Sequence, residues 1–331
     1  MSVPVTSLLV IGAGSAGYRH LINARALGVG DLSVFSTGTG ALKEPLPSDI
    51  RVETDFELAL SRGIQAAIIA NPTSLHVDSA LAAVRAGCHL LIEKPLSHAL
   101  LNIQDLQAEV QNRDRVALVG YQFRFHPSLQ QIRLWLKQEA IGEIVSAQAV
   151  WGEYLPAWQP WRDYRTSYSA RSDLGGGVLL TLSHPIDYLR WFLGEVVRVS
   201  ARTARRSGLE LDVEDTALVH LEFESGAIAS VSLDYVQRPP RHNLVIIGRE
   251  GVIRWDYDDG AAILDAVHPR SIVPVPDQFE RNDLFIAEMN HFFDCIGGQS
   301  QPMCSLTDGE RAIRVCLAAK ESARTGRRID V

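Results

Sequence analysis

Three stretches of this chain carry residue types at spacings that chemistry can use. The first is Gly12-Ala13-Gly14-Ser15-Ala16-Gly17, which follows an apolar run at 8–11 and opens a helical pattern. In that context Gly12 makes a tight turn, Gly14 lets backbone approach a pyrophosphate, and Gly17 lets helix and strand pack closely. The helix end at Ser15 and Ala16 then offers N–H groups and partial positive charge to the phosphates. The second is Lys94, which follows the run 89–92 and Glu93. A lysine there is costly to bury without a partner or a task. It can pair with Glu93 as an ordinary surface lysine, or it can hydrogen-bond a substrate hydroxyl and stabilise a developing alkoxide. The third is His184, whose ordinary pKa near neutrality suits a general base. Thr181, His184, Asp187 and Tyr188 have the spacing of one helix face, so Thr181 could orient the imidazole and Asp187 could supply a carboxylate.

These groups need a scaffold, and the first 120 residues read as one. Strands are expected at 8–11, 32–35, 66–70, 89–92 and 116–119, with helices at 16–27, 56–61, 76–86 and 100–112 between them. The run 66–70 is continuously apolar, as in a strand covered on both faces. This βαβα order implies a parallel, doubly wound sheet of the Rossmann type. Ligands of such sheets lie beyond the carboxyl ends of the strands, which is where Asn71-Pro72-Thr73-Ser74-Leu75-His76 and Glu93-Lys94-Pro95 fall.

After Gly120 the pattern changes. A helix at 127–139 leads to a long strand at 144–154, an aromatic irregular stretch, the triplet Gly175-Gly176-Gly177 and a helix at 179–192. The stretch 196–267 reads as successive strands, with Ser225-Gly226 and Glu250-Gly251 as hairpin turns. Helices at 283–296 and 307–323 close the chain. The expected organisation is α/β: a Rossmann domain at 1–120, then an α+β domain at 121–331 with a large, mostly antiparallel open sheet. In the second domain Trp161, Arg162 and Arg165 are candidates to stack on a ring or to reach hydroxyls and anions. Gln122 and Arg124 follow the last strand of the first domain and are candidates for the same ligand.

Bulk properties narrow the partners. A net charge of −7, with no sustained basic run, argues against nucleic acid and against an anionic membrane surface. Four cysteines without a C-x-x-C pair fit a reduced, cytoplasmic protein with no zinc spacing, and no metal site is expected. No apolar run is long enough to span a bilayer. The second strand ends Phe35-Ser36-Thr37-Gly38, without the carboxylate that normally holds the ribose of NAD. Ser36 and Thr37, with Lys43 nearby, could donate to a 2′-phosphate. The loop therefore permits NAD or NADP and tilts slightly toward NADP.

In order along some 190 residues, the motifs resemble those of the glucose–fructose oxidoreductase / inositol dehydrogenase (Gfo/Idh/MocA) family. They are Gly12 to His20 as G-x-G-x-x-G-x-x-H, Asn71-Pro72-Thr73 with His76, and Ala86-Gly87 leading to Glu93-Lys94-Pro95. Gly120-Tyr121-Gln122, Arg124-Phe125-His126-Pro127, and the glycine triplet leading to His184-Pro185-Ile186-Asp187 complete the set. The resemblance implies that Lys94 is the catalytic or substrate-orienting lysine and that the Lys94–Pro95 bond is cis. It implies a dinucleotide along Gly12, Gly14 and Gly17 with its nicotinamide near Asn71, His76 and Glu93. It further implies cyclic polyols, sugars or nucleotide sugars as substrates, and a homodimer or homotetramer built through the second-domain sheet. The family commonly places an aspartate before the histidine, where this chain has Thr181. That departure keeps open a cofactor-binding sensor without turnover, and a reductase of a non-sugar ring is a further alternative.

Overall fold

The computed structural model describes residues 5–38, 45–266 and 270–331. The chain forms two compact units, one of residues 1–122 with 281–310, the other of 123–280 with 311–331. This differs from a simple division near residue 120, because the segment 281–310 belongs with the first unit. Local periodicity gives a helix its apolar face but does not say which sheet that face covers.

In the first unit, strands β1 (Ser7–Ile11), β2 (Asp31–Phe35), β3 (Arg51–Glu53), β4 (Ala66–Ile69), β5 (His89–Glu93) and β6 (Ala117–Gly120) form one sheet in the order β3-β2-β1-β4-β5-β6. All of its pairings are parallel. This is the doubly wound dinucleotide-binding order, with its switch point between β1 and β4. Helices α1 (Ser15–Ala26), α2 (Phe56–Leu60), α3 (His76–Arg85) and α4 (Ile103–Asn112) connect the strands. The buried aliphatic residues of β1, β4 and β5 form the core, as both faces of a parallel sheet require.

The second unit holds α5 (Pro127–Lys137), β7 (Ile144–Gly152), α6 (Val178–Thr181), α7 (His184–Leu193) and the strands β8 (Val196–Ala204), β9 (Thr216–Phe223), β10 (Ile228–Asp234), β11 (Arg241–Gly248), β12 (Gly251–Asp256), β13 (Ala262–Ala266) and β14 (Ser271–Val273). α8 (Arg281–Ile296) lies in the first unit, α9 (Leu306–Thr325) begins there and ends in the second, and β15 (Ile329–Asp330) closes the chain. The second sheet runs β14-β13-β12-β11-β7-β10-β9-β8-β15. Among the described residues of this sheet, only β7 and β10 pair in parallel. Burial alternates along β9 and β11, so one face is covered and the other open. α5, α6 and α7 pack on the covered face.

The helix expected at 179–192 is two helices. α6 stops at Thr181 and α7 starts at His184. Pro185 explains the break: it has no N–H for the Thr181 carbonyl, and its ring would collide with that oxygen in a continuous helix. Thr181 and His184 therefore do not share one helix face.

Candidate active site

In the first unit the glycine turn is tightly specified. Gly12 has a φ of +111°, and a Cβ there would stand 2.7 Å from the Ala70 carbonyl and the Asn71 nitrogen. A Cβ on Gly17 would strike the Gly12 carbonyl oxygen, so both positions exclude side chains. At Gly14 the opposite holds: nothing lies within 4 Å of where its Cβ would be. Gly14 is the N-cap of α1, with no side-chain cap and no acidic residue in the first turn. An open, uncapped positive helix end fits a pyrophosphate.

β2 ends beside this turn, where the Phe35 carbonyl accepts from the Gly12 N–H at 3.0 Å. Ser36 Oγ accepts from the Gly38 N–H at 3.2 Å, and Thr37 is exposed. Neither position carries a carboxylate. On the neighbouring strand Glu53 stands in register with Phe35, and Arg62 holds its carboxylate at 2.9 Å. Lys43 lies outside the described residues.

The ends of β4 and β5 carry the remaining first-unit candidates. Pro72 precedes a short 3-10 turn at Thr73–Leu75. Asn71 donates through Nδ2 to Ser79 Oγ at 2.8 Å, while its buried Oδ1 has no protein partner, an acceptor left for a ligand amide. His76 stands between the carbonyls of Pro95 and Asn71, each 2.9 Å from a ring nitrogen. Burial lowers its pKa against the pull of those two carbonyls.

Lys94 is half-buried and joined to Pro95 by a cis bond. Its neighbour Glu93 is anchored from α1. Glu93 Oε1 lies 2.9 Å from His20 Nε2 and 3.8 Å from an Arg19 guanidinium nitrogen, and Oε2 accepts from the Lys94 main-chain N–H at 3.3 Å. Burial pushes the Glu93 carboxyl up, but the His20 bond and the charges of His20, Arg19 and Lys94 outweigh it and hold the group at about 2. Lys94 thus rests on an ionised carboxylate on one side and, through Pro95, on His76 on the other. Gln122, after β6, is buried with no protein partner for Oε1.

In the second unit His184 opens α7 and is buried. Its ring stands edge-on to Phe123 at 4.8 Å and tilted against Trp151 at 5.3 Å. The glycine triplet brings it there. Gly177 leaves room for the Glu214 carboxylate, which a Cβ would enter, and Glu214 accepts from the Leu179 N–H at 3.3 Å at the start of α6. Thr181, at the end of α6, is buried as well.

Asp187 and Arg124, expected in separate roles, meet each other. Arg124 donates to both Asp187 oxygens at 3.0 and 2.7 Å, and both side chains are buried. Among the loop candidates Trp161 and Arg165 are exposed and Arg162 is half-buried. Trp161 is 46 % exposed. Arg162 donates to the Thr166 hydroxyl and carbonyl, and Arg165 bonds Asp163 and Glu210.

Sequence reasoning gave no role to Arg19 and His20, or to Glu288 on α8. His20 was visible as the end of the glycine motif. Glu288 leaves a weaker trace, an acid within the row Leu284, Phe285, Met289 and Phe292. Among the described residues no helix is long and apolar enough to cross a membrane, and no group of three or more His, Cys, Asp or Glu could hold a metal ion.

A doubly wound sheet with an anion-ready glycine turn, followed by a mixed-sheet unit, is the two-part architecture of a nucleotide-binding protein. Residues 6–121 match the model of an oxidoreductase family with an NAD-binding Rossmann fold, and residues 129–254 match the GFO/IDH/MocA C-terminal domain. The chain belongs to the Gfo/Idh/MocA oxidoreductase family. It is 28 % identical to scyllo-inositol 2-dehydrogenase (NAD(+)) of Bacillus subtilis (strain 168), over 96 % of this chain and 94 % of that one. It is 25 % identical to 1,5-anhydro-D-fructose reductase of Ensifer adhaerens, over 97 % of each chain. A levoglucosan dehydrogenase structure, in complex with NADH and levoglucosan, shares the fold with a TM-score of 0.85, 20 % identity and 98 % of each chain covered.

Proposed function

We propose that the chain transfers a hydride between a nicotinamide cofactor and a hydroxyl-bearing or keto carbon of a sugar, cyclic polyol or nucleotide sugar. The observation that carries this reading is Lys94, held in place by Glu93 and, through Pro95, by His76. When bound, NAD(P) supplies the hydride acceptor or donor. In the oxidation direction Lys94 hydrogen-bonds the reacting oxygen and stabilises its developing negative charge. His184 takes the hydroxyl proton, and Thr181 and Asp187 steady the helix ends around it. Gln122 and Trp161 are assigned to the substrate, while Arg124 braces α7 and Arg162 and Arg165 brace their own loop. Gly12, Gly14, Ser15, Ala16 and Gly17 hold the pyrophosphate, and Asn71, Pro72, His76 and Glu93 border the nicotinamide. Ser36 and Thr37 take the adenine ribose and, lacking a carboxylate, accept NADP as well as NAD.

We assign the open face of the second sheet to a second copy of this chain, in a cytoplasmic homodimer or homotetramer. Leu218, Ile228, Val245, Ile247, Val252 and Ile263 share that face by register. Leu218 and Ile228 are more than half exposed, apolar side chains that a neighbour would cover.

The test is a paired fluorescence titration with NADH and NADPH, followed by turnover of a polyol and sugar panel by the wild type and Lys94→Ala. The expected result is cofactor binding by both proteins and a loss of roughly three powers of ten in kcat for the variant. Cofactor binding without turnover of any panel member would favour a sensor. Undiminished kcat in Lys94→Ala would remove the lysine from the mechanism.

A further inference from the structure

The first unit buries a carboxyl that the proposed reaction does not use. α8 turns Leu284, Phe285, Glu288, Met289 and Phe292 inward. Glu288 is 1 % exposed, and its Oε1 has no protein hydrogen-bond partner. Phe285, one turn earlier, carries the Arg19 guanidinium 3.5 Å over its ring and meets the His20 ring edge-on at 6.5 Å. This face of α8 therefore meets the two α1 residues that hold Glu93. The charges that act on Glu288 are Glu93, from β5, and Arg19, from α1. On α8 itself, His291 accepts from the Met303 N–H at 3.0 Å. Burial and the Glu93 charge push the Glu288 carboxyl far above the usual range, against the pull of Arg19. Burial thus favours the neutral acid at Glu288, whereas its partners favour the carboxylate at Glu93.

A buried acid without a partner costs stability, so its presence calls for a reason. We propose that Glu288 is a positioning residue for Lys94: as a neutral acid it donates, through a bridging water, to the Glu93 carboxylate and keeps that carboxylate in the one orientation that fixes the Lys94 main chain. Glu93 and Arg19, whose charges act on Glu288, are the polar partners such a water would need. An ionised Glu288 would set two negative charges against one guanidinium and loosen Glu93. The inference rests on the role assigned to Lys94 above.

Glu288→Met and Glu288→Gln, made in the full chain, test it. Glu288→Met should melt at or above the wild-type temperature and bind NADH as the wild type does. Its kcat should fall about tenfold or more, as expected for a displaced catalytic group. Glu288→Gln, still neutral and still a donor, should restore most of that loss. Amide exchange at Lys94 should quicken in the Met variant and stay slow in the Gln variant. A protonated-carboxyl stretch in the infrared spectrum should disappear in both. Wild-type kcat with unchanged Lys94 exchange in Glu288→Met would overturn the proposal. So would a Gln variant as impaired as the Met one, or the absence of the infrared band. Should the wild type turn over no polyol, the assigned reaction fails, and the positioning role is then decided by the exchange and infrared results alone.

Discussion

Glu93 in the first unit and His126 in the second show two opposite ways of burying an ionisable side chain. In the first, Glu93 stays ionised because His20, Arg19 and Lys94 surround it. In the second, imidazoles sit among rings. His126, His184 and His242 all pack against Phe123, and Trp151 stacks on His242 at 4.3 Å. Burial alone takes His126 down to about 4. Its Nδ1 accepts from the Ser128 N–H at 3.2 Å, which also requires an unprotonated nitrogen. The difference matches the two tasks. A group that stabilises developing negative charge needs a fixed electrostatic frame, whereas a base must begin without its proton.

The comparison breaks most directly at His184. His184→Asn should lower kcat by about 10²–10⁴, the usual contribution of a positioned base, and leave NADH affinity unchanged. If the variant lost NADH affinity and kept its kcat, His184 would belong to cofactor binding rather than to proton transfer.

Arg124 and Asp187 sharpen the contrast, because they are a buried ion pair inside the aromatic unit. Arg124→Met or Asp187→Leu alone leaves an uncompensated buried charge and should cost about 3–5 kcal/mol in denaturant unfolding. The double variant should recover most of that loss. If it recovers stability and also keeps kcat, the pair is a brace. If stability returns and kcat does not, Asp187 has a part in the chemistry.

The parallel sheet was readable because a strand covered on both faces must be apolar throughout, as 66–70 is. The glycine turn was readable because its spacing answers to one geometry. The break between Thr181 and His184 was signalled by Pro185 but masked by the apolar run across it. Arg124 and Asp187 stand 63 residues apart, and no local pattern relates them. The place of 281–310 in the first unit is likewise a matter of long-range packing. Glu288 interrupts an apolar face, but only the nearby Glu93 and Arg19 make that interruption informative.

His126 gives the comparison a pH axis. Its folded pKa of about 4 lies below the ordinary 6.5, so between those values the unfolded chain binds the extra proton. Stability from this group is therefore present above about pH 6.5 and is lost as pH falls toward 4, by about 3 kcal/mol at most. His126→Asn keeps an N-cap acceptor for α5 and removes the titration. Urea unfolding of that variant should show a shallower decline across the window. An unchanged decline would assign the acid sensitivity to other groups.

The smallest expected effect is at the surface, where neither way of burying charge applies. Arg165 is exposed and held by Asp163 and Glu210 at 3.0 Å each. Solvent and salt weaken such pairs, and two long side chains lose freedom to form them. Arg165→Ala should therefore leave the melting temperature, KM and kcat near their wild-type values. Arg162, bonded to Thr166 in the same loop, should behave alike. A KM that rises severalfold for an anionic substrate, at unchanged kcat, would instead mean that Arg165 leaves Asp163 and Glu210 to bind that substrate. The frame around Lys94 would then not be the only charged one the reaction uses.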